Sequence, residues 1–132
     1  MAYHPIERDE NGAFVEGEEV GTVYLTHFLK PFKHAEHYLG FATNLEARLE
    51  HHRKGTGARL MQVIRDAGIG FVLVRTWEGE TRTKERRIKN GGGLNRVCPV
   101  CKLMQAGFTQ GEAIERLGLN VSLTKDESER SW

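Results

Sequence analysis

The stretch from Val23 to Arg48 constrains the fold most tightly, because two runs of strand-forming residues are followed at once by a helix. Val23-Tyr24-Leu25 and His37-Tyr38-Leu39-Gly40-Phe41 are dense in β-branched, aromatic and aliphatic residues, the composition of a half-buried pleated surface. Gly40 inside the second run marks a bulge or a close approach of another group to the backbone. The two runs are expected to pair antiparallel. Between them Lys30 to Ala35 is longer than a two-residue turn and contains Pro31, which predicts a broad loop. After Gly40, Thr43 or Asn44 is placed to cap a helix. Its Leu45 and Leu49 are expected to face inward, with Arg48 and His52 one turn apart on a neighbouring face.

Further along, Arg53-Lys54-Gly55-Thr56-Gly57 reads as a turn in which Thr56 caps a second helix, Ala58 to Ala67. That helix should bury Leu60, Met61 and Ile64 and stop at Gly68. Phe71 to Trp77 is the clearest strand and is nearly continuous in apolar character, which places it centrally in a sheet. Glu80 to Lys89 is polar but helix-forming, and the triplet Gly91-Gly92-Gly93 ends it. A short helix from Gln110 to Leu117 follows, with Thr109 and Glu112 at capping-box spacing. The expected architecture is α/β in the α+β sense: a small, three-stranded, mainly antiparallel sheet flanked by helices. The expected division is an acidic arm over 1–20, a main domain over 21–97, a Cys-x-x-Cys segment with a short helix packed on it over 98–124, and a polar tail over 125–132.

The formal net charge is +1, but it is unevenly spread. Residues 1–20 hold six acids and one base, whereas residues 21–90 hold thirteen bases and seven acids. The middle is the part suited to a polyanion, since lysine and arginine displace the counterions condensed on phosphates. No apolar run is long enough to span a bilayer and no charged-then-hydrophobic leader opens the chain, so a soluble, cytoplasmic protein without a membrane partner is expected.

The ordered set Thr22-Val23-Tyr24, Tyr38-Leu39-Gly40, Arg48, His52 and Glu85 resembles the motifs of the GIY-YIG nucleases over roughly residues 21 to 96. Tyr38-Leu39-Gly40 stands where the family has its second motif. Arg48 lies ten residues beyond Tyr38 and His52 four beyond that, and Glu85 sits on the later helix. The first motif here lacks the family's glycine and isoleucine, and the tyrosines are separated by more residues than is usual. The resemblance implies a metal-dependent endonuclease acting on DNA. It makes Tyr24 the general base and has Tyr38 orient water or substrate. Arg48 becomes the stabiliser of transition-state charge, His52 an aid to proton movement or phosphate binding, and Glu85 the holder of one divalent cation, Mg²⁺ or Mn²⁺. Lys33, Arg53, Lys54, Arg59, Arg86 and Lys89 are the candidate DNA contacts, joined by Asn95, with Asn90 its rival.

These residue types suit the chemistry. Phosphodiester hydrolysis needs a deprotonated water, charge stabilisation on the phosphoryl oxygens and a stabilised leaving oxygen. A carboxylate such as Glu85 offers the hard oxygen that Mg²⁺ prefers, and the arginine fork matches phosphate. The altered first motif leaves a second reading, a nucleic-acid-binding module of the same fold without activity. A third is a zinc or redox protein built on Cys98 and Cys101. Against it, a closed zinc site needs about four ligands and nothing C-terminal to the pair supplies them. Buried thiols, or a site shared across a dimer, are therefore expected for the pair. The spacing of His27, His34, His37 and His51 matches no standard tetrahedral site, and Glu78 and Glu80 are weaker metal candidates than Glu85.

Overall fold

A computed structural model describes residues 18–122 of the chain; the predicted arm up to residue 17 and the polar tail from 125 lie outside them. The chain forms β1 (Gly21–Phe32), β2 (Ala35–Ala42), α1 (Leu45–Lys54), α2 (Arg59–Asp66), β3 (Phe71–Glu80) and α3 (Arg82–Asn90). A 3₁₀ turn over Leu94–Val97 then leads into α4 (Pro99–Gln105), α5 (Gln110–Arg116) and β4 (Val121–Ser122). The class is mixed α and β as expected, with one strand more. The sheet has four antiparallel strands in the order β2-β1-β3-β4. β4 is two residues long and holds only the edge, opposite Phe71 and Val72, too short to leave a periodic signal in the sequence.

The expected broad loop is instead a tight turn. β1 continues to Phe32, which pairs with Ala35, so that only Lys33 and His34 separate the strands. Lys33 takes a left-handed backbone, φ 56, as two-residue hairpin turns demand. Pro31 is tolerated because the β1–β2 register is interrupted between His27 and Phe32, where a missing N–H breaks no ladder bond.

Pleating gives the hairpin two differently used faces. One carries Val23, Leu25, Leu39 and Phe41, which pack with Val72, Val74 and Ile88 and with Cys98, Val100 and Ala113. The other carries Phe28, which with its β3 neighbour Phe71 is covered by Met61 and Ile64 of α2. α1 differs from its neighbour in how it is anchored. Asn44 caps it by accepting from the Ala47 N–H, and Gly55 closes it at φ 79. Its only fully buried residue is His52, while Leu45 and Leu49 are half-buried. Thr56 does not cap α2 as expected; Ala58 is the N-cap without a side-chain bond, and the Thr56 hydroxyl lies 3.0 Å from His51 Nδ1.

β3 runs on through Glu80, so α3 begins after its cap Thr81. Glu18, from the end of the predicted arm, also accepts from the Thr83 N–H at 3.0 Å and from its hydroxyl at 2.8 Å. An acid at a helix start satisfies free amides and meets the positive end of the helix dipole. The 98–122 segment does more than pack on the domain, because it supplies a strand of the sheet and part of its core. The expected capping box on α5, Thr109 with Glu112, is present. Among the described residues no helix is long and apolar enough to cross a membrane.

Candidate active site

Tyr24 lies opposite Gly40 in the β1–β2 register, and Tyr38 lies opposite Thr26 two residues along. Both phenols therefore project from the same face of the hairpin. A β-carbon on Gly40 would stand 2.5 Å from Tyr24 Oη and 2.8 Å from Tyr38 Cε2. The close approach read from the sequence is thus the crossing of two tyrosines over one glycine, with ring centroids 6.1 Å apart.

His52 reaches this pair from the last turn of α1. Its Nε2 is 2.6 Å from Tyr24 Oη, and its ring meets Tyr38 edge to face at 5.4 Å. The opposite nitrogen, Nδ1, is buried without a hydrogen-bond partner among the described residues, and a β-carbon at Gly57 would overlap it. Burial, reinforced by the charges of Arg48 and His51, holds the imidazole down at about 4, so it is neutral at pH 7.

Tyr24 does not behave as a free base beside positive charge. It is fully buried, and its pKa is raised, first by burial and then by Tyr38, with the Arg48 guanidinium opposing but not reversing the rise. Loss of water costs a phenolate more than one neighbouring arginine returns.

In front of the phenols is a cleft of about 360 Å³, lined by Tyr38, Arg48 and Glu85 together with Glu19, His51, Arg82 and Asn44. Arg48 is half-buried, with its Nε enclosed and unpartnered among the described residues. The Glu85 side chain is only 15% exposed and its Oε2 sits 3.3 Å from Lys89 Nζ. The two stand at i,i+4 spacing on α3, which ties Lys89 to the carboxylate. Tyr38, Arg48 and Glu85 come together at the cleft, and Tyr24 and His52 form its backing.

Sequence reasoning missed three residues of the cleft. Arg82 precedes Glu85 by three residues, one turn on the same face of α3, and stacks its guanidinium over Phe41 at 4.9 Å. Glu19 was hidden in the acidic stretch read as an arm, and His51 in the histidine pair of α1. Of the predicted DNA contacts, Lys33 sits at the hairpin turn, over the Phe32 ring at 5.7 Å. Arg53 and Lys54 share Glu50 at 2.7 and 3.7 Å. Arg59 and Arg86 are exposed on α2 and α3. None of these five lines the cleft. Glu78 and Glu80 end β3 outside it, and Asn95 lies elsewhere, against His34, Glu36 and His37.

The cysteines form part of a second constellation, on the other face of the hairpin. Cys98 and Cys101 are buried and free. With His27 and His37 they make a group of four whose potential ligand atoms all lie within 4.8 Å of one another. This corrects one expectation: the missing ligands come from upstream strands, and His27, one of them, is buried. A site shared across a dimer is not required, since one chain supplies all four groups. Burial would raise the Cys98 thiol, but hydrogen bonds from His27 and His37 outweigh it and bring Cys98 to about 5. Burial and the charge of Cys98 push Cys101 up to about 12.

No family model, no curated protein and no solved structure matches the chain.

Proposed function

We propose that this chain is a GIY-YIG-type endonuclease that hydrolyses DNA phosphodiester bonds with the help of one divalent cation, Mg²⁺ or Mn²⁺. The observation that carries the reading is the convergence of Tyr38, Arg48 and Glu85 on one cleft, with Tyr24 and His52 hydrogen-bonded directly behind. These five positions lie on four different elements.

The donor set suits a hard cation, because Glu85 and Glu19 bring carboxylate oxygens to the same cleft. Such a cation, when bound, polarises the phosphoryl group and stabilises the leaving oxygen. Arg48 and Arg82 place permanent charge where the phosphoryl oxygens gain negative charge. Tyr38 is the phenol that meets the cleft, so it orients the attacking water. Behind it, Tyr24 and neutral His52 form a hydrogen-bonded pair: with His52 protonated at Nδ1, Nε2 accepts from the Tyr24 O–H and holds that phenol beside Tyr38. The pair keeps Tyr24 as the neutral phenol, since its raised pKa makes a buried phenolate costly.

The test is to incubate the protein with supercoiled plasmid and with branched DNAs, in Mg²⁺, in Mn²⁺ and in chelator. Nicked or linear products with either metal and none with chelator are expected. Salt-sensitive DNA binding with no cleavage under any condition would replace this reading with that of an inactive binding module.

A further inference from the structure

We infer that His27, His37, Cys98 and Cys101 form a structural zinc site that ties α4 to the back of the hairpin carrying Tyr24 and Tyr38. The inference is independent of the nuclease reading. A tetrahedral ion with Zn–N near 2.0–2.1 Å and Zn–S near 2.3 Å requires edges of about 3.3–3.4 Å between nitrogens and about 3.5–3.6 Å between nitrogen and sulfur. His27 Nδ1 and His37 Nε2 are 3.3 Å apart. The sulfur of Cys98 is 3.6 Å from His27 Nδ1. Cys101 Sγ is 3.7 Å from that nitrogen and 3.4 Å from His37 Nε2. Four edges thus lie within about 0.1 Å of those of one coordination tetrahedron.

The surroundings fit the same ion. The His27 Nε2–H donates to Gln110 Oε1 at 2.8 Å, and Gln110 Nε2 donates to the Leu29 carbonyl at 3.0 Å. This orients the ring and leaves the Nδ1 lone pair for the metal, as outer-shell partners of metal-bound histidines do. The Cys101 N–H donates to Cys98 Sγ at 3.4 Å, which supports a thiolate. With both cysteines bound as thiolates and both imidazoles neutral, Zn²⁺ at the site carries no net charge. That balance suits a cluster built into the apolar core. Two sulfurs and two imidazoles favour zinc and exclude Mg²⁺, which takes oxygen. A hollow bordered by His27, Cys101 and Gln110 offers an entry path.

The ion would fasten a segment 71 residues away in the chain to β1. Because His27 pairs with His37 across the hairpin, it would also hold the register on which the tyrosines depend. The test is elemental analysis of protein purified under reducing conditions, followed by unfolding with a zinc-selective chelator in excess Mg²⁺. We expect about one zinc per chain and a fall in Tm of about 10 °C or more on its removal, restored by zinc and not by Mg²⁺. The double variant Cys98→Ser/Cys101→Ser should lose the metal. If that variant does not fold, titration of the metal-free wild type with Co²⁺ decides: thiolate-to-cobalt charge transfer with intense tetrahedral bands supports the site, and their absence overturns it. A Cys98–Cys101 disulfide in the purified protein, no zinc after equilibration with a zinc salt, or zinc retained by a folded double variant would each overturn it too.

Discussion

The two faces of the β1–β2 hairpin carry histidines in opposite ways. On one, His52 is enclosed against two phenols and held neutral, with Gly40 and Gly57 giving up their side chains so that the aromatic rings can close in. On the other, His27 and His37 turn their nitrogens toward two sulfurs and a shared centre. The first arrangement is a closed, neutral hydrogen-bonded pair; the second suits a thiophilic cation. Adjacent residues serve opposite faces, His37 one and Tyr38 the other, so a one-residue slip in register would exchange both roles. The chemistry of the cleft and the geometry behind it therefore rest on the same strand pairing.

The sharpest way to separate the faces is to disable one and read the other. Glu85→Gln removes the carboxylate charge at the cleft from a polar helix position that adds little to packing. Cleavage should be abolished while Tm and zinc content stay at wild-type values. Retained cleavage would remove Glu85 from the metal assignment, and a loss of zinc would break the independence of the two faces.

Arg48→Lys should have the next largest effect. The ammonium keeps the charge but loses the fork that matches phosphate oxygens, and loss of one such donor costs about 10²-fold in rate. A near-normal rate would make Arg48 a surface charge. Tyr24→Phe and Tyr38→Phe should each also cut the rate by about 10²-fold, with folding intact. If only Tyr38→Phe is impaired, the buried pair does not position the phenol at the cleft.

Glycine substitutions probe the close packing of the phenol face. Gly40→Ala places a β-carbon against Tyr24 and Tyr38, and overpacking of this kind costs about 1–3 kcal/mol. Gly111→Ala, in α5 with nothing within 4 Å of the new carbon, should instead stabilise by up to about 1 kcal/mol. Denaturant midpoints for the two variants should move in opposite directions; movement together would deny the special packing at Gly40.

What the sequence made legible follows the range over which each signal acts. Tyr24, Tyr38, Arg48 and His52 fall within 29 residues of chain on a strand pair and the helix after it, so spacing and pleat alone bring them close. Glu85 needed the resemblance. The cysteine site was misread because its ligands come from both ends of the described chain: His27 meets His37 only through the hairpin register, and both meet Cys98 only once α4 packs on the sheet. Pro31 misled in a different way, since a bulge can absorb a proline that a regular strand rejects. The helix at Pro99–Gln105 was overlooked although a proline at its first position is a recognised start signal.

The smallest expected effect concerns stability against pH, and it distinguishes the neutral histidine from the others. His52 is held at about 4 in the folded chain against an ordinary 6.5, chiefly by burial. Between those two values the unfolded chain binds a proton that the folded chain refuses. The stability owed to this group is therefore fully present above pH 6.5 and falls as the pH drops toward 4. His52→Gln keeps a polar side chain but has no group to titrate, so it should lower stability at pH 7.5 and flatten the decline between pH 6.5 and 4. The measurement is urea unfolding of both proteins across that window, taken as a difference so that other titrating groups cancel. Equal slopes for the two would show that His52 is already charged beside Tyr24, and the acceptor role given to its Nε2 would then fail.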